Sequence, residues 1–333
     1  MAGGIKPFRK LQIGKEATAG TAVAATTIWR GEGSLKDTRK IESVAEDTGY
    51  LISTLHTNTQ NFEAGITLAE TPATFEQLCY LLEGGVKKVT TGSADGSGSG
   101  KVYTYPIATT SAPTLQTFTV EGGDNQQEEV AEYCIVRNIK LSGRVNEAVR
   151  MSAEMVGRQV TASTFTAAVS LPTVEDILTN KGLVYIDPTT TIGVTQASQT
   201  ITGFNLTLDC GMAPRYTIDG QKYFSHAHAA PAKGTLELTF EHNSTATTEK
   251  AAWRAETARA IRLKFTGSSF TTAGTAYSTK TLIVDCYGKY TDFSELGDED
   301  GNNTVNATLE LGYDSTAASA GQFIVVNSLT SLT

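Results

Sequence analysis

Hydrophobic and polar residues alternate with a period of two along much of this chain, the mark of strands that bury one face. From Phe62 to Ala69, the residues Phe62, Ala64, Ile66 and Leu68 fall on one face, and Glu63, Gly65 and Thr67 on the other. From Gly234 to Glu241, Leu236, Leu238 and Phe240 oppose Thr235, Glu237 and Thr239. Similar patterning predicts strands near 115–121, 132–141, 147–156, 200–209, 260–265, 281–287 and 304–312, and LVYID before Pro188 adds a short one. Helical spacing is expected in three places only. Over 71–83, Thr71 suits a cap, Pro72 a first turn, and Phe75, Leu78, Cys79 and Leu82 make one stripe before Gly84-Gly85. The run TVEDIL after Pro172 reads as a short capped helix, and a third helix holds Ala251, Ala252, Trp253 and Ala255.

The segments between these elements carry turn chemistry. TTGSADGSGSGK, residues 90–101, reads as a mobile hairpin tip, and 215–230 as a long hairpin or loop. Residues 1–25 are too poor in large apolar side chains to build a core and read as an extended arm.

The element order then recurs. Ile66 and Leu68 align with Leu236 and Leu238, while Val149, Met151, Ala153 and Met155 align with Val305, Ala307, Leu309 and Leu311. On the opposite face, Glu154 aligns with Glu310. Strand, helix and strands in the same order imply two copies of one module. The expected fold is mainly β: two tandem sandwich or half-barrel modules, each with one flanking helix. The expected division is an arm (1–25), a first module (26–160), a linker with a short helix (161–182), a second module (183–315) and a C-terminal tail (316–333).

Composition narrows the function. Of 333 residues, 40% are hydrophobic and 19% charged, which suits a packed protein, and the net charge of −8 argues against a surface built to grip phosphates. Cys79, Cys134, Cys210 and Cys286 are too widely spaced for a zinc site and read as buried free thiols. No signal-peptide core opens the chain, and no stretch is apolar enough to span a bilayer. His226 and His228 share a strand face without a third ligand nearby, and Asp298–Asn303 lacks the spacing of a calcium loop. Neither outweighs a structural reading, so no metal or cofactor is expected. No nucleophile elbow, phosphate loop or zinc-protease motif is present, and the chain is not expected to be an enzyme.

Two stretches carry a resemblance. LQIGKEATAGTAVAATTIWRG (Leu11–Gly31) is similar to the opening of major tail, or tail tube, proteins of long-tailed, siphophage-type bacteriophages. PTVEDILTNKGLVYID (Pro172–Asp187) resembles the middle of the same family. The resemblance implies a structural virion protein, assembled in the host cytoplasm into rings of six modules that stack into the DNA conduit. Three two-module chains would close a pseudo-sixfold ring; six would be needed if the halves are unrelated. Tape measure, tail terminator and tail tip proteins are the implied partners, and DNA passes without specific binding. Channel-lining candidates are Thr67, Ser152, Glu154, Glu237, Thr239, Thr308 and Glu310; the plain alternative is an outer polar face. Ring-stacking candidates are Ser97, Gly98 and Ser99 of the Gly/Ser-rich turn and Arg215, Tyr216 and Tyr223. The competing function is a two-domain adhesin or carbohydrate-binding surface protein, which calls for clustered exposed aromatics. Trp29 and Trp253 are the only tryptophans.

Overall fold

The computed structural model describes residues 3–52 and 56–332. Positions 1–2, 53–55 and 333 and the side chain of His228 lie outside the described residues. With them go the ends of the expected arm and tail and one of the two paired imidazoles. The first half holds β1 (Lys10–Lys15), β2 (Thr27–Ile28), β3 (Gly33–Val44), β4 (His56–Pro72), α1 (Leu78–Gly85), β5 (Ser93–Ala94), β6 (Lys101–Pro106), β7 (Phe118–Gly123), β8 (Glu128–Arg144), β9 (Arg150–Gly157) and β10 (Val160–Ala162). The second holds β11 (Gly182–Asp187), β12 (Ile201–Asp209), β13 (Met212–Arg215), β14 (His226–Ala229), β15 (Lys233–Glu241), α2 (Ser244–Arg254), β16 (Arg259–Ser269), β17 (Thr279–Phe293), β18 (Gly297–Glu299), β19 (Asn302–Leu311) and β20 (Gly321–Asn327).

The fold is mainly β and its ladders are antiparallel. One long sheet runs β3–β4–β9–β8–β12–β15–β19–β17, with β18 extending the last edge. Two long strands, β8 and β17, change layers midway. Residues 128–134 of β8 pair with β7, whereas 135–144 pair with β9 and β12. Residues 281–288 of β17 pair with β16 and β20, whereas 288–293 pair with β19. A second layer is thereby laid over the long sheet, and the apolar faces of both meet between them.

The two halves repeat one pairing order. The first runs β1–β7–β8–β9–β4–β3 and the second β11–β16–β17–β19–β15–β12. Even a bulge recurs. Val136 and Asn138 oppose Met155 and Glu154, just as Tyr290 and Asp292 oppose Leu309 and Thr308. Ladder register therefore matches Glu154 with Thr308, two residues from the alignment with Glu310 drawn from sequence. A two-residue slip keeps every side chain on its face, so period-two patterning cannot detect it.

A single apolar cluster joins both halves. Helix α1 is buried along its whole length, including Glu83, whose carboxylate meets Lys15 Nζ at 2.9 Å. Burial pushes the Glu83 carboxyl up, and Lys15 opposes that shift. Helix α2 starts where Asn243 Oδ1 accepts from the N–H groups of Thr245 and Ala246, a cap of about 1 kcal/mol. Strand β20 lies between β17 and β6, so a strand from the first half completes the second half's outer sheet. Tyr103 Oη donates to Leu329 O at 2.7 Å, and Asn327 Nδ2 to Phe75 O at 2.8 Å. All four cysteines are free and buried; burial pushes the Cys79 and Cys210 thiols up to about 12.

Several local expectations are corrected. Residues 71–72 finish β4, Ala73 N–H donates to Val149 O, and the helix begins only at Leu78. TVEDIL is extended, bridged through Asp176 to Thr74 and Leu178 to Ala148, with a 3-10 turn at Thr179–Lys181 after it. The 1–25 segment is not a free arm, because β1 pairs with β7 and buries Leu11 and Ile13. The tail carries β20, with Phe323, Val325 and Val326 buried. The turn at 90–101 is pinned: Asp95 accepts from Ala276 N and Tyr277 N at 2.9 and 2.8 Å, and Ser99 N–H donates to Thr272 O. A Cβ on Gly98 would come 2.5 Å from Gly274 Cα, so glycine is what permits this docking.

Candidate functional site

The long sheet turns its apolar side to the core, leaving one continuous polar face. Register arranges that face in rows. One row is Ser34, Thr67, Glu154, Asn138, Asp209 and Lys233. A second is Arg150, Ser142, Asn205, Glu237, Thr308 and Asp292. A third is Ser152, Lys140, Thr207, Thr235, Glu310 and Lys289. Thr239, opposite Asn306, begins a fourth. All seven side chains singled out from sequence are thus gathered on one surface, although they come from four strands in both halves.

The surface is dished. A concavity of about 680 Å³ is lined by Ser142, Arg150, Asn205, Glu237, Asp292 and Thr308 among others. Arg144 Nη2 and Glu299 Oε1 approach to 3.6 Å at its rim, although β12, β15 and β19 separate their strands. Charges of both signs are interleaved, with Glu154, Asp209, Glu237, Asp292 and Glu310 among Lys140, Arg150, Lys233 and Lys289. Two carboxylates are held by neighbouring amides: Asn138 Nδ2 donates to Glu154 Oε2 at 2.9 Å and Asn205 Nδ2 to Glu237 Oε2 at 3.0 Å. No unbroken basic track crosses these rows, so phosphates would find no continuous grip.

The face ends in two open edges. Among the described residues β3 pairs only with β4, and the inner part of β17 and β18 pair only with β19. Unpaired strand edges seek partners, and an isolated protein normally covers them.

Two hairpins rise from this scaffold. The distal halves of β3 and β4 form an exposed arm, with Ile41 58%, Tyr50 76%, Leu51 107% and Ile52 84% exposed. Period-two patterning does not reveal this arm, because GSLKDTRKIESV is polar on both faces and hides its period. In the second half, β13 and β14 fold back onto the body. Phe224 is fully buried against Ile135 and Val156, and Arg158 donates to Phe224 O and Ser225 O at 3.1 and 2.6 Å. Arg215 sits in β13 opposite His226. Tyr216 Oη reaches Glu63 Oε2 at 3.3 Å, and burial with this carboxylate pushes its hydroxyl up to about 12. The Tyr223 ring lies 5.3 Å from the Arg158 guanidinium. Ser97, Gly98 and Ser99 lie in the turn docked on 272–277.

The remaining motifs resolve into turns. Asp298–Asn303 is the β18–β19 hairpin, whose tip is Asp300-Gly301. Among the described residues, no three His, Cys, Asp or Glu side chains gather as a metal set, and no helix is long and apolar enough to cross a membrane. No curated protein matches the chain. A family model described as phage tail tube protein matches residues 9–320, nearly the whole length. A mainly β chain, with open sheet edges flanking a dished polar face and this match across its length, belongs to the phage tail tube protein family, whose members are structural components of the virion tail.

Proposed function

We propose that this protein polymerises as rings that stack into the tail tube, with the dished polar face turned inward as the wall of the DNA channel. The observation that carries the reading is the geometry of the long sheet: concave, polar on its free side, and open at both ends. A curved sheet with two free edges closes when copies join edge to edge. Each chain contributes two modules, the first opening with β1 and the second closed by β20, and three chains make a pseudo-sixfold ring. Seven lining residues, Thr67, Ser152, Glu154, Glu237, Thr239, Thr308 and Glu310, face the passing duplex. Interleaved charges let DNA slide, since B-DNA presents about one negative charge per 1.7 Å and a basic wall would hold it.

The exposed arm, tipped by Tyr50, Leu51 and Ile52, joins one ring to the next. The segments 97–99 and 215–223 take secondary places at the ring contact. The protein has no catalytic activity; it works by shape and charge. It is assembled in the host cytoplasm, meeting a tape measure protein, a terminator and tail tip proteins, and enters the virion.

Negative-stain microscopy of the purified protein tests this reading. Rings or tubes with a central hole and threefold end-on symmetry are expected, and compact monomers at every concentration count against it. A Glu237→Cys variant sharpens the assignment of the face. In assembled tubes its thiol should react with a small reagent and resist a bulky one. Equal reaction with both would put this face on the outside.

A further inference from the structure

The chain contains one finished copy of the joint its own edges need. At the centre of the long sheet, β8 of the first half pairs with β12 of the second. Within the repeat, β8 corresponds to β17 and β12 corresponds to β3. Among the described residues the partners of these counterparts are missing: β17 has no ladder neighbour beyond residue 288 on its outer side, and β3 has none on the side away from β4. We infer that the edge of β17 in one chain pairs antiparallel with β3 of a second copy, in the register that β8 and β12 display internally. This rests on the ring reading above and assigns its contact residue by residue.

The register follows from the ladders. Val136 and Tyr290 hold equivalent places before the shared bulge, so Asn138, Ile139, Lys140 and Leu141 correspond to Asp292, Phe293, Ser294 and Glu295. Ile66 and Leu236 oppose the equivalent residues Met155 and Leu309, so Leu35 corresponds to Leu206. The internal pairs are Asn138↔Asp209, Ile139↔Leu208, Lys140↔Thr207 and Leu141↔Leu206. Transferred to the edges, they become Asp292 opposite Thr38, Phe293 opposite Asp37, Ser294 opposite Lys36, and Glu295 opposite Leu35.

Charge supports the transfer. In the internal joint, Lys140 stands on the polar face of β8, with Asp209 of β12 diagonal to it. Between chains the signs exchange strands. Lys36 stands on β3, and Asp292 of the neighbour's β17 is diagonal to it on the same face. Diagonal neighbours on a sheet are within reach of long side chains. Each joint therefore matches a cation to a carboxylate, but a β3 that displaced β12 from β8 would bring Lys36 next to Lys140. The reversed polarity favours the correct edge over the wrong one.

Cysteine cross-linking tests the register. Opposed residues in an antiparallel pair lie about 4.5–5.5 Å apart at Cα, within disulfide range. The four native thiols are buried and give little background. Assembled Lys36→Cys/Ser294→Cys protein, oxidised and run in denaturant, should give a ladder of covalent oligomers at least tenfold stronger than either single variant. A Lys36→Cys/Gly297→Cys control, off register, should give little. Stronger linking in that control, or no linking in rings that do form, overturns the inferred register while leaving the ring reading intact. Unmodified protein that never forms rings fails the ring reading, and the register falls with it. Charge exchange is an independent check. Lys36→Glu should reduce assembled protein at least fivefold, and Lys36→Glu with Asp292→Lys should restore it. Failure of the double variant to recover, with each variant folded by circular dichroism, rejects the pairing of these two residues.

Discussion

The distal ends of β3–β4 and of β12–β15 occupy the same station in the two halves yet go opposite ways. The first continues straight into the exposed arm. The second breaks at Gly211, where φ is +70° and a Cβ would meet Ala230 O at 2.3 Å, and returns as β13–β14 to lie on the body. One side chain largely decides the difference. The second hairpin has Phe224, which is fully buried, whereas the first offers Tyr50, Leu51 and Ile52 to solvent. A repeated backbone therefore need not repeat its contacts: an apolar anchor facing inward makes a brace, and one facing outward stays in solvent.

The comparison is most sharply broken by removing the brace's anchor. Phe224→Ala should cost about 3 kcal/mol in chemical denaturation, near the low end for a buried Phe, because a surface hairpin relaxes more easily than a central core. A loss under about 1 kcal/mol would mean the hairpin is held elsewhere. Arg158→Ala removes the two hydrogen bonds to the hairpin backbone and the guanidinium contact with Tyr133, 4.6 Å from its ring. About 1.5 kcal/mol and faster proteolysis within 216–223 are expected. An unchanged cleavage rate would exclude the clamp.

Acid probes the brace more gently. Hydrogen bonds from Ser225, Thr217 and the Gln221 N–H hold the Asp219 carboxyl below its usual 3.8. A depressed folded-state value means the contribution is present above the unfolded value and is lost as pH falls through the folded one. Hydrogen exchange in 217–225 should therefore rise, relative to the rest of the chain, below about pH 4. Asp219→Asn should abolish that step, and a step that survives would assign it to another group. The smallest effect on stability belongs to the arm. Leu51→Ser with Ile52→Ser should leave the monomer's stability in chemical denaturation within about 0.5 kcal/mol of wild type. Tube growth should nevertheless fail, and normal tubes would show that the arm is not the connector.

Much of the sheet was legible in the sequence because a half-buried strand must alternate. β4, β9, β15 and β19 follow that rule, and their polar positions lead straight to the dished face. The rule fails where both faces meet water, as in the distal part of β3. It fails again where turn chemistry is tied down from afar: the glycines and serines around Ser97 suggest freedom, but Asp95 receives two N–H groups from nearly two hundred residues away. TVEDIL has helical composition, yet its backbone is claimed by bridges to Thr74 and Ala148. Residues 10–15 looked too sparse for a core, but a strand needs only Leu11 and Ile13 inside once β7 supplies its ladder. The last three misses share one cause, a distant partner that local pattern does not name.

The placement of β20 beside β6 has a consequence for synthesis. A nascent chain emerging from the ribosome has made β6 long before it makes β20, and until then the buried pair Tyr103 and Tyr105 lacks its ladder partner. Contacts this distant along the chain form late and slowly. The body is therefore finished only once residues 321–327 have been translated, and a product terminated before them lacks the cover its centre requires. Translation through β20 thus separates complete bodies from fragments that cannot pack their centre.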